Sequence, residues 1–166
     1  MVTHEKELLL SMDLEEKIGQ TLIFGFHGYS LDYDYQQWLE SGRLGNIKIF
    51  LRNVLSKDQI IDLTSAINYL VNSSKHGIPP FIATDLEGGT VYHVRYPGVS
   101  VAPAAGFLGA TGNPENSRDA ARLIALNLLS LGINMNLAPC VDVLTNPHNS
   151  VIGTRSYSSD PNTVFN

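Results

Sequence analysis

The sequence predicts an α/β protein organised around a parallel sheet, and two observations carry that reading. Four short, mostly apolar runs, residues 22–26, 47–51, 81–83 and 135–143, do not alternate apolar with polar positions. Strands covered on both faces have this pattern. Between the runs lie segments with helical apolar spacing and readable caps, and strands alternating with helices make βαβ units.

The elements follow in order. Asp13 with Glu16 three residues on has the form of a capping box and predicts a short helix before the first strand. The stretch DYQQWLESG, residues 34–42, predicts a second helix between the first two strands. Ser56 with Gln59 repeats the capping-box spacing. It opens a helix carrying Ile60, Leu63, Ile67, Leu70 and Val71 on one face, expected to end near Gly77 before Pro79 and Pro80. Asn113 before Pro114 is an N-cap followed by proline at the first helical position. Ala120, Ile124, Leu128 and Leu131 line one side of that helix, and Gly132 is its stop. The fourth apolar run is interrupted at Pro139. No internal repeat or low-complexity linker divides the chain, so residues 1–166 read as one structural unit or part of one.

Composition narrows the partners. The 166 residues are enough to bury a core, and 43% hydrophobic with 16% charged residues is globular rather than disordered. A formal net charge of -5, with no basic run, argues against a nucleic-acid or anionic-membrane partner. The lone Cys140 cannot form an internal disulfide, and its apolar neighbours predict a buried, inert thiol. The N-terminus has only Leu8–Leu10 as an apolar run, with acids close behind, unlike a signal peptide. No apolar stretch reaches the roughly 18 residues of a membrane span. The expectation is a cytoplasmic protein.

Ligands of parallel sheets bind beyond the carboxyl ends of the strands. Asp85 stands at such an end, followed by Gly88 and Gly89, which permit a tight turn and close approach of a ligand. The polar loop after the fourth run offers Arg155. A carboxylate that accepts from hydroxyls and a guanidinium that donates to them suit a polyhydroxylated ligand. An exposed aspartate turn and a surface arginine fit the same spacing, and both readings stay open from the residues alone. Other chemistries fit less well. GATGNPEN places glycines before a helix but lacks the Lys-Ser/Thr of a phosphate loop. The five histidines, at 4, 27, 76, 93 and 148, show no metal-ligand spacing, and His27, His76 and His148 read as solvated loop residues. No metal and no cofactor are expected.

Four motifs resemble glycoside hydrolase family 3. DLEGGTVYHVR is similar to its D-x-E-G-G-R-V-x-R signature, and GNIKIFLRN to its G-G-V-I-L-F-x-R-N strand. LGINMNLAPCVDVLTNPHNSVIGTRSYSSDP and LEEKIGQTLIFGF are similar to its later strand and loop and to its N-terminal lead-in. The subgroup most resembled is the bacterial β-N-acetylhexosaminidases, cytoplasmic members of which trim N-acetylglucosamine from peptidoglycan fragments. The resemblance implies the N-terminal half of a (β/α)8 barrel, with Asp85 and Arg155 holding sugar hydroxyls. It also implies that Glu87 is a buried partner within the turn rather than an acid catalyst, and that Asp142 anchors the fourth loop.

Two departures stand out. The two arginines of R-V-x-R are replaced by Thr90 and His93, and the second normally contacts substrate. His93 takes that position among the expected contacts, and Arg95, two residues on, shares its side and could substitute if the segment is extended. Lys48 stands where the family has an apolar residue in a buried strand. An unpaired buried lysine is costly, so it is expected to pair with an interior carboxylate such as Glu87, or to distort the strand.

The resemblance places the family's K-H-F-P-G-H-G loop, with its acid/base histidine, and its nucleophilic aspartate beyond Asn166. No catalytic residue is therefore expected in this chain, since retaining hydrolysis needs a nucleophile and an acid flanking the bond. Half a barrel leaves open sheet edges that invite pairing with the missing C-terminal half or self-association. Three functions follow in order of preference. The first is part of a hexosaminidase-like hydrolase, supplying part of the pocket for a terminal β-linked sugar. The second is a non-catalytic remnant or sugar-binding module. The third is a half-barrel that dimerises, which would bring like-charged copies of Asp85 together.

Overall fold

The computed structural model describes residues 3–165. Four strands, β1 (Ile23–Gly25), β2 (Asn46–Ile49), β3 (Ile82–Thr84) and β6 (Met135–Asn136), form one sheet in the order β1-β2-β3-β6, every pairing parallel. Helices connect them: α2 (Leu14–Thr21) precedes β1, α3 (Tyr33–Glu40) joins β1 to β2, α4 (Lys57–Asn72) joins β2 to β3, and α6 (Pro114–Ser130) precedes β6. This is the predicted parallel α/β half-barrel. Its outer strands β1 and β6 have no further strand partner among the described residues.

The caps form largely as the sequence predicts. Asp13 and Glu16 make both halves of the capping box of α2, each bond 2.8 Å long. Ser56 Oγ accepts from Gln59 N at 3.2 Å, whereas the Gln59 side chain reaches back to Leu55 N rather than to the cap residue. Asn113 caps α6 with Pro114 at its start. α4 ends at Asn72, five positions before Gly77, because Ser73 and Ser74 already close the last carbonyls. Gly132 follows α6 at φ +74°, and a Cβ there would stand 2.6 Å from Thr64 Oγ1, which itself bonds Leu131 O at 2.8 Å. Glycine is required twice over at that corner, by conformation and by space.

Several elements lie outside the expectation. α1 (His4–Ser11) precedes α2, and α5 (Ala105–Ala110) precedes α6. A two-stranded antiparallel hairpin, β4 (Leu86–Gly88) with β5 (Val91–Tyr92), follows β3 directly. The predicted fourth strand shortens from 135–143 to Met135–Asn136.

The core lies between sheet and helices. Ile47, Ile49 and Ile82 are fully buried, joined by Ile60, Leu63, Ile67 and Val71 of α4 and by Leu128, Leu131 and Ile133 around the end of α6. These strands hold only two to four residues each, so the backbone ladder is sparse. Asparagine amides extend it. Asn46 donates to Gln20 O and Leu22 O and accepts from Phe81 N, stitching β1, β2 and β3 together at their N-terminal end. Asn134 bonds Ile82 N and Pro80 O, and Asn136 bonds both N and O of Leu86. Asn53, fully buried, closes the loop after β2 onto Phe26 O and Gly28 O.

Corrections arise away from the sheet. His76 is not solvated: its side chain is 10% exposed, with Nε2 3.1 Å from Glu16 Oε2 but off hydrogen-bond alignment. His27 and His148 are exposed as expected. Cys140 is only half-buried, its thiol 3.6 Å from Asp142 Oδ2. No helix among the described residues is long and apolar enough to cross a membrane.

Two measurements check this account. Asn46→Leu strands three main-chain groups and should cost about 2–4 kcal/mol in urea unfolding, where a surface substitution costs far less. Glu16 is the second. The Asp13 backbone N–H, with His76 and Lys75 beside it, holds its carboxyl at about 2, below the ordinary 4.5. A depressed folded value favours the folded state above 4.5 and loses that contribution as pH falls toward 2. The urea midpoint of Glu16→Gln should therefore fall less steeply than wild type across that window. Parallel slopes would refute the assignment.

Candidate functional site

The carboxyl ends of β2 and β3 are where charge collects. Lys48 is the third residue of β2, and Asp85 directly follows β3. The Lys48 ammonium lies 2.8 Å from Asp85 Oδ2, with the two side chains 22% and 20% exposed. His93 Nε2 is 3.6 Å from the same oxygen, and the His93 backbone N–H donates to the Asp85 carbonyl at 3.2 Å. Phe50 forms the floor of this cluster. Lys48 Nζ is 4.8 Å from its ring centre, the Arg52 guanidinium 4.4 Å, and the His93 ring meets it edge-on at 5.4 Å. Cations over the face of an aromatic ring are attracted by its quadrupole.

Lys48 thus pairs with an interior carboxylate, but with Asp85 and not Glu87. β2 stays in regular parallel register with β1 and β3, so no distortion accommodates it. Glu87 is engaged elsewhere. Arg155, in the 3-10 turn Gly153–Arg155, donates through Nε and Nη2 to its two carboxylate oxygens at 2.8 Å each, and through Nη1 to Val151 O at 3.2 Å. The Glu87 side chain is 9% exposed. This bidentate pair raises the Arg155 pKa further above its already high ordinary value, the Glu87 hydrogen bonds being the main cause. Glu87 is thereby the buried partner that the resemblance implies, although its partner is 68 residues away and not within the turn.

The structure sorts the four expected contact residues into distinct environments. Asp85 and His93 stand together with Lys48. Arg155 lies on Glu87, at the same end of the sheet but without an ion pair to Asp85 among the described residues. Arg95 is exposed, its guanidinium 6.0 Å from the centre of the Tyr92 ring, and it forms no ion pair with Asp85 or Glu87 among the described residues. β5 ends at Tyr92, so the extended segment that would align Arg95 with His93 is not formed as a strand. Asp142 holds the fourth loop through its carbonyl, which accepts from Ser156 Oγ at 2.6 Å.

The glycines also behave differently from the expectation. Gly88 has φ +95°, and a Cβ would collide with the Pro103 carbonyl, while Gly89 N donates to Ala102 O at 3.0 Å. The close approach that glycine permits is made by the chain's own segment 102–104 and not by a ligand. Lys48 with Asp85, and Phe50 as the hub, were not found from the sequence. The signal was present: in IKIFLRN, Lys48, Phe50 and Arg52 recur at every second position.

Chemically, the arrangement offers both acceptors and donors of hydrogen bonds. Asp85 offers acceptor oxygens, while Lys48, His93 and the Arg155 guanidinium offer donors. Both oxygens of Glu87 accept from Arg155, so Asp85 and Glu87 are not a pair of free carboxyl groups. No group of three or more His, Cys, Asp or Glu side chains that could hold a metal occurs among the described residues. Glu87→Gln should destabilise the chain by about 1–3 kcal/mol, since it leaves a partly buried guanidinium short of its charged acceptor. It should also raise amide exchange across 145–155. Unchanged exchange there would show that the loop is held by other contacts.

The sequence pattern described as the glycosyl hydrolase family 3 N terminal domain matches residues 13–166. A beta-hexosaminidase A from Pseudoalteromonas piscicida is 39% identical across 97% of this chain, which spans 30% of that protein. Among solved structures, a glycoside hydrolase family 3 beta-N-acetylglucosaminidase from Paenibacillus sp. matches with a TM-score of 0.87 and 36% identity, over 93% of this chain and 29% of its own. NagZ from Neisseria gonorrhoeae in complex with N-trifluoroacetyl-D-glucosamine matches with a TM-score of 0.74 and 27% identity, over 86% of this chain and 42% of its own. The chain therefore spans less than half the length of each of these proteins. With the parallel half-barrel, these matches establish that the chain belongs to glycosyl hydrolase family 3, residues 13–166 matching its N-terminal domain.

Proposed function

We propose that this chain supplies part of the sugar pocket of a hydrolase acting on terminal β-linked N-acetylglucosamine, the sugar coming from cell-wall fragments in the cytoplasm. The observation that carries the reading is the pair of unlike groups at one end of the parallel sheet: the accessible carboxylate of Asp85 after β3, and Arg155 braced on Glu87. The first accepts from hydroxyls and the second donates to them, which is the polarity a pyranose ring presents. The relative solved with an N-acylated glucosamine supports the choice of sugar.

Residues 1–166 form the binding side of the site, and the groups that cleave the bond belong to the other half of the barrel. The same half would close against the open edges of β1 and β6. His93 serves as a contact beside Asp85, and Arg95 as an outer one above Tyr92.

The intact gene product should release N-acetylglucosamine from a p-nitrophenyl β-glycoside, and Asp85→Asn should lower kcat/KM by about 100-fold or more through loss of charged hydrogen bonds. Residues 1–166 produced alone should show no hydrolysis. Hydrolysis by residues 1–166 alone would place the catalytic groups within them, and an unaffected Asp85→Asn enzyme would remove Asp85 from the pocket.

A further inference from the structure

Lys48 is placed and equipped for more than neutralising a carboxylate. Its neighbours in register are Gly25 on β1 and Ala83 on β3, neither with a side chain beyond a methyl. A long side chain flanked by two minimal ones has room to run along the sheet face, over the Phe50 ring, to Asp85. Gly25 has its own reason to be glycine, because a Cβ there would lie 2.6 Å from the Phe50 ring. The pair is not sealed, since about a fifth of each side chain remains exposed.

The hydrogen-bonding capacity of the pair is also unspent. An ammonium has three N–H donors, and Asp85 is the only ion-pair partner of Lys48 among the described residues. Asp85 Oδ1 accepts no hydrogen bond from the described residues, for the contacts of Lys48 and His93 fall on Oδ2. The strand ends therefore present one free acceptor with free donors beside it.

We propose that Lys48 is a direct substrate contact, forming with Asp85 a donor–acceptor couple that takes two neighbouring hydroxyls of the sugar ring. Asp85 accepts from one hydroxyl, and Lys48 donates to the oxygen beside it. A vicinal diol satisfies both at once, and a ring lacking either hydroxyl leaves one group unpaired. This deepens the sugar-pocket reading and rests on it.

The test is equilibrium binding to the intact gene product, by isothermal titration, of N-acetyl-D-glucosamine and its 3-deoxy and 4-deoxy analogues. Lys48→Met, with folding checked by circular dichroism, should weaken N-acetylglucosamine about tenfold while leaving one deoxy analogue within about twofold of its wild-type affinity. Lys48→Gln, which keeps a neutral donor, should fall between and serves if the methionine variant does not fold. Equal losses on all three sugars would show that Lys48 acts only through Asp85 or the fold, and no loss on any would show a purely structural ion pair. Either result overturns the proposal. Asp85→Asn separates it from its premise. Unchanged sugar binding in that variant, or no binding by the wild type, refutes the pocket itself, whereas loss there with an unaffected Lys48→Met refutes Lys48 alone.

Discussion

The polar groups of this molecule are positioned by the parallel pairing of β2 with β3. The register that sets Ile47 against Ile82 on the helix side sets Lys48 against Ala83 on the other, and so brings the ammonium up to Asp85 two positions further along. A slip of one residue would send Lys48 into the apolar layer and Ile47 out of it. Each strand offers too few ladder bonds to forbid such a slip by itself. The asparagine amides supply the rest, since each can pair only with particular backbone groups. Asn46 fixes the N-terminal end of the sheet, and Asn136 fixes the backbone just after Asp85.

That register also explains why so much charge is tolerated at the carboxyl end. A partly buried carboxylate is favoured only with a partner, and the fold gives each one a different cation. Glu87 receives a bidentate guanidinium and is nearly enclosed, so it acts as a brace for the loop bearing Arg155. Asp85 receives a single ammonium contact and stays open. The two carboxylates are separated by one residue, yet one is enclosed by a brace and the other stays partly exposed. The β4–β5 hairpin makes this division, because it turns the chain at Gly88 and packs that turn on segment 102–104.

Local pattern made part of this legible. Apolar runs without alternation marked the parallel strands, and Asp13, Ser56 and Asn113 marked helix starts that the structure keeps. What local pattern could not show were pairings between distant segments. The partner of Glu87 is 68 residues downstream, and that of His76 lies on the first capping box, so neither burial follows from neighbouring residues. The hairpin was hidden for another reason. Its glycines read as room for a ligand, and only the position of Pro103 shows that the room is filled from within. Arg95 illustrates the limit of a spacing rule, because two residues share a side only while the strand continues, and β5 stops at Tyr92.

The Lys48–Asp85 pair alters the electrostatics of every assembly this half-barrel could enter. Bringing a bare Asp85 near a second carboxylate would set two like charges against each other. With the Lys48 ammonium 2.8 Å away and the Arg52 guanidinium over the same Phe50 ring, the negative charge of Asp85 is offset locally, and with it much of the repulsion between facing carboxylates. The same pairing bears on what the proposed pocket would prefer. A neutral, hydroxyl-rich ring exchanges hydrogen bonds with both members without disturbing their sum. An anionic ring would have to compete with Asp85 for Lys48, and a cationic ring would compete with Lys48 for Asp85. If the proposed sugar pocket holds, a preference for an uncharged ring follows from the pairing itself.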